Sequence, residues 1–319
     1  MSKVRSNPYV TALKTIPGLR VTQNANLSKR TSMRMRARCA ALAEPQTPEA
    51  LMRTVIMARD LNWPLLMLGL GKNTIFANSY FDGIVVILPM SGFGHFERLD
   101  RNVISVGAGM SLGGLLTKIK REGLMGLEFM TKIPGTVGGS LAGNAGAGEF
   151  GLCDFAERVL LMTRDGELVT LHRGEYEYGY RKSELADYIV LEADFYLDRL
   201  DLDKSEKLAQ YYADKKKGQP YNVPSAGCIF KNPKNPDSGD PISAGKLIDQ
   251  LGLKGYRLNG VEVSPGHANF LTNPESCARG EDLLAAIRLL QDFVQDKFGI
   301  ELEIEARIVG GGMTTCRIH

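Results

Sequence analysis

Seven glycines within nineteen residues make segment 133–151 (IPGTVGGSLAGNAGAGEFG) the part of this chain best suited to close contact with a ligand. Glycine loses more backbone entropy on folding than any other residue, so such a dense run needs a reason. Free N–H groups in a glycine loop can hold a pyrophosphate. A flexible linker is the alternative, but Val137 and Leu141 lie among the glycines, and linkers rarely carry such apolar residues. We therefore predict a nucleotide- or dinucleotide-binding loop.

A second candidate loop is GLGKN, residues 69–73, which directly follows an apolar run that predicts a strand over residues 65–68. A strand that leads into Gly-x-Gly leaves two adaptable backbone positions where a phosphate can sit. Neither loop has the GxxxxGK[ST] pattern of a P-loop, and neither has a GxGxxG directly after a strand, so the Rossmann interpretation is weak. Two glycine loops about sixty residues apart indicate one long ligand with two contact zones.

Three side chains elsewhere could perform chemistry. Arg181 lies in YGYRKS, where a glycine between two tyrosines can aim a guanidinium at a carboxylate. Cys228 offers a thiol in SAGCIFKNP, although a free cysteine is usually a small core residue. Glu305 shares one face of an alternating segment with other acidic residues, which is also typical of an exposed stripe. On the residues alone, a structural role is the stronger interpretation for each.

Composition excludes several classes of protein. The chain of 319 residues is 44% hydrophobic and 24% charged, which is typical of a globular protein and long enough for two or three domains. A formal net charge of +3 gives no argument for nucleic acid. No apolar run has the length of a membrane span. Five cysteines without CxxC or other ligand-like spacing argue against a metal site or a disulfide framework, so we expect a reduced, cytosolic protein.

The hydrophobic pattern predicts an α+β chain with a first unit near residues 1–200 and a second near 205–309. Residues 1–43 contain no acidic residue but nine lysines and arginines, which predicts a basic arm over 1–26; an organelle transit peptide is the alternative. A charged helix over 200–217 is predicted to connect the two units. The other predicted elements are helices 47–61, 111–123, 244–250 and 281–298, strands 84–88, 103–107 and 188–197, a hairpin of 159–163 with 167–171, short strands near Val261 and Phe270, and an alternating strand 300–309.

Seven segments in order closely resemble the UDP-N-acetylenolpyruvoylglucosamine reductases, the MurB family, over residues 27–309. These segments are GLGKN, IPGTVGGSLAGNAGAGEFG, YGYRKS, SAGCIFKNP, AGKLIDQLGLKG, VSPGHANFLTN and LEIEAR. The resemblance implies an FAD-binding domain of the vanillyl-alcohol-oxidase (PCMH) type at 27–200 and a smaller α+β substrate-binding domain at 205–309. It leaves residues 310–319 as a tail. The extra tyrosine-bearing loop of the longer subtype is absent from the sequence, which resembles the shorter type II subtype.

The resemblance also implies an activity in the bacterial cytoplasm, performed by a monomer or weak homo-oligomer that binds no nucleic acid, membrane or metal. NADPH, as co-substrate, would reduce a non-covalently bound FAD, and the reduced flavin would deliver hydride to the enolpyruvyl group of UDP-N-acetylglucosamine enolpyruvate. A proton would then complete UDP-N-acetylmuramate, a peptidoglycan precursor. The residues implied to bind FAD are Gly69, Leu70, Gly71, Lys72, Asn73, Pro134, Gly135, Thr136, Gly138, Gly139, Ser140, Asn144 and Gly146.

Three residues match the catalytic positions of the family. Hydride addition places negative charge on the substrate carboxylate, so a fixed cation there matters most. Arg181 matches the family's arginine at that carboxylate, and Glu305 matches the glutamate that helps to hold it. Cys228 stands where many members have a serine as proton donor; a thiol has a pKa near 8.5, which makes the exchange chemically reasonable. The residues implied to bind substrate, mainly at its diphosphate, are Tyr180, Lys217, Gln219, Lys231 and Asn232.

Two departures keep alternatives open. Cys228 replaces the usual serine, and Met35-Arg36 stands where the family usually has small residues. These changes motivate a catalytically silent protein that binds FAD or a UDP-sugar. A flavin oxidase of the same fold with another substrate is a further alternative, against which SAGCIFKNP and AGKLIDQLGLKG argue.

Overall fold

The computed structural model describes residues 7–235 and 238–311. The chain forms two compact units. The first contains Met1–Gln23, Ala40–Gly69 and Gly83–Lys217, and the second contains Asn24–Cys39, Leu70–Asp82 and Gly218–His319.

The helices begin where the sequence supplies capping groups. Thr47, Ser111 and Ser243 each accept a hydrogen bond from a backbone N–H of the first turn. None of the helices in the described part of the chain is long and apolar enough to cross a membrane. The α-helices are α1 Pro8–Leu13, α2 Pro48–Asp60, α3 Met90–Phe93, α4 Leu112–Arg121, α5 Val137–Ala142, α6 Leu202–Lys215, α7 Ala244–Gln250 and α8 Gly280–Phe298. Short 3-10 helices are Glu128–Met130, Leu152–Phe155 and Glu184–Asp187.

The described strands are mostly short and form several two-stranded sheets in addition to three larger ones. They are β1 Leu19–Asn26, β2 Arg38–Pro45, β3 Leu65–Met67, β4 Thr74–Phe76, β5 Tyr80–Val86, β6 Phe96–Arg98, β7 Val103–Gly107, β8 Leu124–Met125, β9 Gly146–Ala147, β10 Phe150–Gly151, β11 Ala156–Met162, β12 Leu168–His172, β13 Tyr178–Gly179, β14 Lys182–Ser183, β15 Ile189–Tyr196, β16 Asp198–Arg199, β17 Ser225–Cys228, β18 Arg257–Leu258, β19 Val261–Val263, β20 Phe270–Thr272 and β21 Arg307–Val309.

The first unit is organised around an antiparallel sheet of order β12-β11-β15-β7-β6. Helix α5, formed by the glycine-rich segment, packs on β15 and β7 of this sheet. Val137 and Leu141 of α5 are fully buried in the same apolar core as Val106 and Ala193. The glycine-rich segment is therefore part of the folded core and not a linker. The unit also contains β3 and parts of β1, β2 and β5, which form a sheet of order β1-β2-β5-β3 in which β3 and β5 run parallel.

The second unit has its own apolar core and an antiparallel sheet of order β17-β20-β19-β18. The apolar face of α8 lies in this core, with Leu283, Ile287 and Val294 fully buried. Gly299 ends α8 in the left-handed conformation, as expected for a C-terminal glycine. The predicted strand 300–309 is too long: only β21 pairs fully, in parallel with β4, and an isolated bridge joins Ile304 to Phe230.

The units differ from the two continuous domains expected from sequence. The chain passes from one unit to the other within β1, β2 and β5, because these strands run past the residues at which the units divide. Helix α6 belongs to the first unit, where Glu128 accepts a hydrogen bond from Ser205, so it is not a free connector. Much of the expected basic arm is folded as α1 and β1; residues 1–6 of it, and residues 312–319 of the tail, lie outside the described residues.

Candidate active site

The two predicted cofactor loops approach each other in the first unit at Gly69 and Thr136. A Cβ on Gly69 would lie 2.8 Å from the Thr136 hydroxyl oxygen, which itself caps α5 by accepting from the Gly139 N–H. Gly138 and Gly146 are equally constrained, since a Cβ would meet Ala108 at 2.8 Å and the Phe150 carbonyl at 1.9 Å. These glycines are required by the close packing of the protein itself, a reason that the sequence could not separate from ligand contact.

The second-unit part of GLGKN has backbone N–H groups that the described protein groups leave without an acceptor. Among the described residues, no group accepts a hydrogen bond from the backbone N–H groups of residues 70–73. The loop is held through its carbonyls instead: Gly71 accepts from the Ser32 N–H at 2.9 Å, and Asn73 accepts from the Arg307 N–H at 2.8 Å. Gly71 is left-handed (φ +59°), and a Cβ there would lie 2.2 Å from the Arg30 carbonyl. Successive unbonded N–H groups of this kind fit a phosphate or pyrophosphate.

Arg181 lies at the tip of a two-residue hairpin. Strands β13 and β14 pair with Gly179 opposite Lys182, which leaves only Tyr180 and Arg181 in the turn. Arg181 has φ +56°, a left-handed conformation that is costly for any residue with a side chain. Its guanidinium carbon lies 5.3 Å from the centre of the Tyr180 ring, within the range of a cation–π interaction. Such strain is typical of functional positions, where the surrounding structure imposes the conformation.

Lys216 is a charged group that the sequence analysis missed. Its ammonium donates to the Phe129 carbonyl at 3.1 Å and to the Thr131 carbonyl, and the residue is only 8% exposed. Burial, together with the like charges of Arg181 and Lys132, lowers the pKa of Lys216 to about 8. The predicted substrate residue Lys217 instead points outward, 75% exposed and paired with Asp214 at 2.8 Å.

Helix phase could have distinguished these two lysines. Lys216 follows Tyr212 by four residues and Ala213 by three, and both of these are buried on the inner side of α6. Residues at such spacings lie on the same face of a helix. Because residues 215–217 are all lysine, their residue types do not show which of them is buried.

The second unit holds Cys228 and Glu305 on neighbouring segments. The Glu305 N–H donates to the carbonyl of Ile229 at 2.7 Å, one residue after Cys228. The Asn73 side chain donates to the Glu305 carbonyl at 3.3 Å, so this loop residue supports the Glu305 backbone. Cys228 is half-buried and ends β17 after Gly227, which is left-handed (φ +79°).

The remaining predicted substrate residues of the second unit are partly engaged within the protein. The Gln219 side chain accepts from the Tyr221 hydroxyl at 2.9 Å, and the Asn232 side chain accepts from the Ala244 N–H at 3.1 Å. Lys231 forms an ion pair with Glu303.

Loss of solvation and, to a smaller degree, the nearby Cys228 thiol raise the pKa of Tyr221, although half of this side chain is exposed. Tyr221 is therefore a neighbour of Cys228 that sequence analysis did not select.

Comparison with known proteins defines the class of flavoenzyme. Residues 39–172 match the model of an FAD binding domain, and residues 219–309 match the C-terminal domain of UDP-N-acetylenolpyruvoylglucosamine reductase. The solved UDP-N-acetylenolpyruvylglucosamine reductase (MurB) of Thermus caldophilus superimposes with a TM-score of 0.77 at 32% identity, over 92% of this chain and 100% of that one. The chain is thus a two-domain flavoenzyme with an FAD-binding domain followed by a MurB-type C-terminal domain.

Full-length relatives identify the family. UDP-N-acetylenolpyruvoylglucosamine reductase 1 of Bacillus anthracis is 33% identical over 295 residues, which cover 91% of this chain and 95% of the relative. The reductase of Lachnoclostridium phytofermentans is 36% identical over 301 residues, covering 91% and 93%. The chain belongs to the UDP-N-acetylenolpyruvoylglucosamine reductase (MurB) family. This confirms the predicted family and fold class.

Proposed function

We propose that this chain reduces UDP-N-acetylglucosamine enolpyruvate to UDP-N-acetylmuramate, using FAD as cofactor and NADPH as reductant. The observation that carries the proposal is the match to UDP-N-acetylenolpyruvoylglucosamine reductases over 91% of the chain, together with the match of residues 219–309, which contain Cys228 and Glu305, to the C-terminal domain of that family. We propose that the reaction takes place in the bacterial cytoplasm, where nucleotide sugars and NADPH are available. A monomeric or weakly homo-oligomeric state stays a prediction.

The residues present fit FAD. The row of unbonded N–H groups at 70–73 can receive the pyrophosphate, and the glycine-rich segment supplies a second close-packed backbone surface. The proposed FAD contacts are those of residues 69–73 and of segment 134–146. When bound, FAD takes hydride from NADPH and supplies it to the enolpyruvyl group.

The protein's own contribution is to stabilise charge and to supply a proton. Arg181 is proposed to hold the substrate carboxylate, where negative charge accumulates as the enolpyruvyl carbon–carbon double bond is reduced. The left-handed hairpin tip presents the guanidinium without a flexible loop, so little ordering is needed during reaction. Cys228 is proposed to donate the proton to the carbon that bears the carboxylate, and Glu305 is the second acidic group assigned to the reaction.

The anionic substrate requires further cations. Lys216 adds buried positive charge close to Arg181 and is proposed to favour an anion there. Tyr180, Gln219, Lys231 and Asn232 stay proposed substrate contacts, of which Lys231 would exchange its ion pair with Glu303 for a phosphate. Lys217 is the weakest of the proposed contacts, because its charge is already neutralised by an exposed partner.

The flavin prediction tests both the fold and the activity. We expect one tightly but non-covalently bound FAD per chain, so acid precipitation should release all the yellow colour into solution. NADPH should bleach the purified protein, and UDP-N-acetylglucosamine enolpyruvate should restore the colour. Colour left on the protein pellet would indicate covalent attachment and another flavoenzyme branch. A protein that stays yellow with NADPH would support the silent binding protein.

Lys216 predicts a pH dependence of stability. Its pKa is about 8 in the folded protein, against about 10.4 in an unfolded chain. Between these values the unfolded chain binds more protons, so the stability contributed by this position rises with pH, by at most about 1.4 kcal/mol per pH unit. We expect urea unfolding to show that the free energy of unfolding of the parent, relative to that of Lys216→Met, increases from pH 8 to 10. Below pH 7 this difference should not change with pH.

Lys217→Met is the matched control for this experiment, because Lys217 is an exposed lysine one residue further along. The parent and Lys217→Met should have parallel stability curves over the same pH range. Ionisation of buried groups such as Cys153 affects all three proteins alike and cancels in the difference. Parallel curves for the parent and Lys216→Met would contradict the lowered pKa.

A further inference from the structure

The side chain of Asn144 joins the glycine-rich segment to the hairpin that carries Arg181. Asn144 is buried, 6% exposed. Its side-chain N–H donates to the Gly179 carbonyl at 2.9 Å, and its side-chain oxygen accepts from the Cys153 N–H at 3.1 Å. Both polar ends of this side chain are thus bonded within the protein.

The surrounding structure is shaped to hold this amide. Asn144 has φ +39°, a left-handed conformation that asparagine tolerates better than most residues. A Cβ on Gly151 would lie 2.2 Å from the Asn144 side-chain oxygen and 2.6 Å from its nitrogen. Glycine at position 151 therefore provides the space in which the Asn144 side chain lies.

The other strand of the hairpin is tied to the same point. The Cys153 thiol lies 3.8 Å from the Ser183 hydroxyl and 3.5 Å from the Leu141 carbonyl, all in buried surroundings. Ser183 is opposite Tyr178 in the β13–β14 pair, and Gly179 is the last residue before the turn. Asn144 thus fixes β13, the strand before Arg181. The N–H of Cys153 donates to the Asn144 side chain, and the Cys153 thiol contacts Ser183 in β14, the strand after Arg181.

We propose that Asn144 is a positioning residue for Arg181, which sets the hairpin tip relative to the glycine-rich segment. A two-strand hairpin of four paired residues cannot hold a strained tip by itself. The left-handed Arg181 needs the hairpin to be anchored from outside, and the Asn144 side chain anchors Gly179, the last residue before the turn. The inference rests on the proposed role of Arg181 in holding the substrate carboxylate.

Two variants of Asn144 test the anchor. Asn144→Asp keeps the acceptor for the Cys153 N–H but places an oxygen against the Gly179 carbonyl. Asn144→Gly suits the left-handed backbone and removes the side chain without adding charge. Asn102→Asp is the matched control, because the Asn102 side chain donates a similar 2.7 Å hydrogen bond to the Leu197 carbonyl in the same unit.

Hydrogen exchange and half-reaction rates give separate readouts in the holoenzyme. We expect amide exchange in residues 178–183 to speed up on the order of tenfold in both Asn144 variants and not in Asn102→Asp. Reoxidation by the enolpyruvyl substrate should slow by up to about 10²-fold, as for a small misplacement of a reacting group. Flavin reduction by NADPH should slow much less than reoxidation does. Unchanged exchange in the hairpin, or equal loss in both half-reactions, would overturn the proposal.

A double variant separates this inference from the proposed function. If Asn144 acts through Arg181, adding Asn144→Gly to Arg181→Ala should cause little further loss of the reoxidation rate. Additive losses would show that Asn144 acts elsewhere and would overturn the inference. If Arg181→Ala alone reoxidises like the parent, the proposed role of Arg181 fails, while hydrogen exchange still decides whether Asn144 anchors the hairpin.

Discussion

Replacing Arg181 with alanine should slow reoxidation of the reduced enzyme by its enolpyruvyl substrate by roughly 10²- to 10³-fold, the effect of losing one preorganised donor to a developing oxyanion. The loss should fall on turnover, because the negative charge that Arg181 neutralises grows in the transition state. Flavin reduction by NADPH does not create that charge and should be nearly unchanged. Stopped-flow absorbance of the flavin measures both half-reactions separately.

Two further variants define the origin of the Arg181 effect. Arg181→Lys keeps the positive charge but loses the planar fork that matches a carboxylate, so it should recover only part of the rate. Arg173→Ala removes an exposed arginine of the same unit, paired with Glu157, and should behave like the parent. Equal damage to both half-reactions in Arg181→Ala would point to a structural role for the hairpin tip.

Replacing Cys228 with alanine should abolish most turnover while NADPH still reduces the flavin. The thiol is proposed to supply the proton that completes the product, and alanine has none to give. Cys228→Ser should keep substantial activity, since serine occupies the matching position in many family members. Steady-state turnover and single-turnover flavin reduction, measured together, distinguish the loss of a proton donor from a packing defect. A core cavity would lower stability and slow both flavin reduction and reoxidation.

Oxidation gives an independent test of the same residue. An accessible thiol is open to oxidation by peroxide, whereas a serine is not. Mild peroxide should therefore inactivate the parent and spare Cys228→Ser, while Cys277→Ala, which removes an exposed cysteine of the same unit, should be inactivated like the parent. If Cys228→Ala turns over like the parent, the assignment is wrong and a water molecule or Glu305 becomes the better proton donor.

Local sequence signals predicted most of the longer regular elements well. Helix α7 and strand β7 have the predicted bounds, and α2, α4 and α8 begin within a residue or two of the predicted starts. Caps and alternating hydrophobicity depend on neighbours a few residues away, so they can be read without the fold. The last strand was predicted too long because strict alternation shows which side chains are buried but not whether a partner strand is present.

The division of the chain into compact units could not be found in the same way. Residues 24–39 and 70–82 belong to the second unit although they precede most of the first in sequence. Composition shifts and charge runs detect linkers, and here the chain changes unit within strands, which have no linker composition. The charged run at 200–217 looked like a connector for the same reason, whereas its apolar face is buried in the first unit.

The sequence by itself determined the family and located the two glycine loops, because residue type and order are sufficient for these. Arg181, Cys228 and Glu305 stay its predicted catalytic residues. Only the tertiary structure showed that Gly69, Gly138 and Gly146 are required by close packing, that Lys216 and not Lys217 is buried, and that the Asn144 side chain donates a hydrogen bond to the hairpin that carries Arg181. Each of these depends on which groups lie close in space, and a Cβ contact, a desolvated ammonium and a long-range hydrogen bond leave no periodic signal in the sequence.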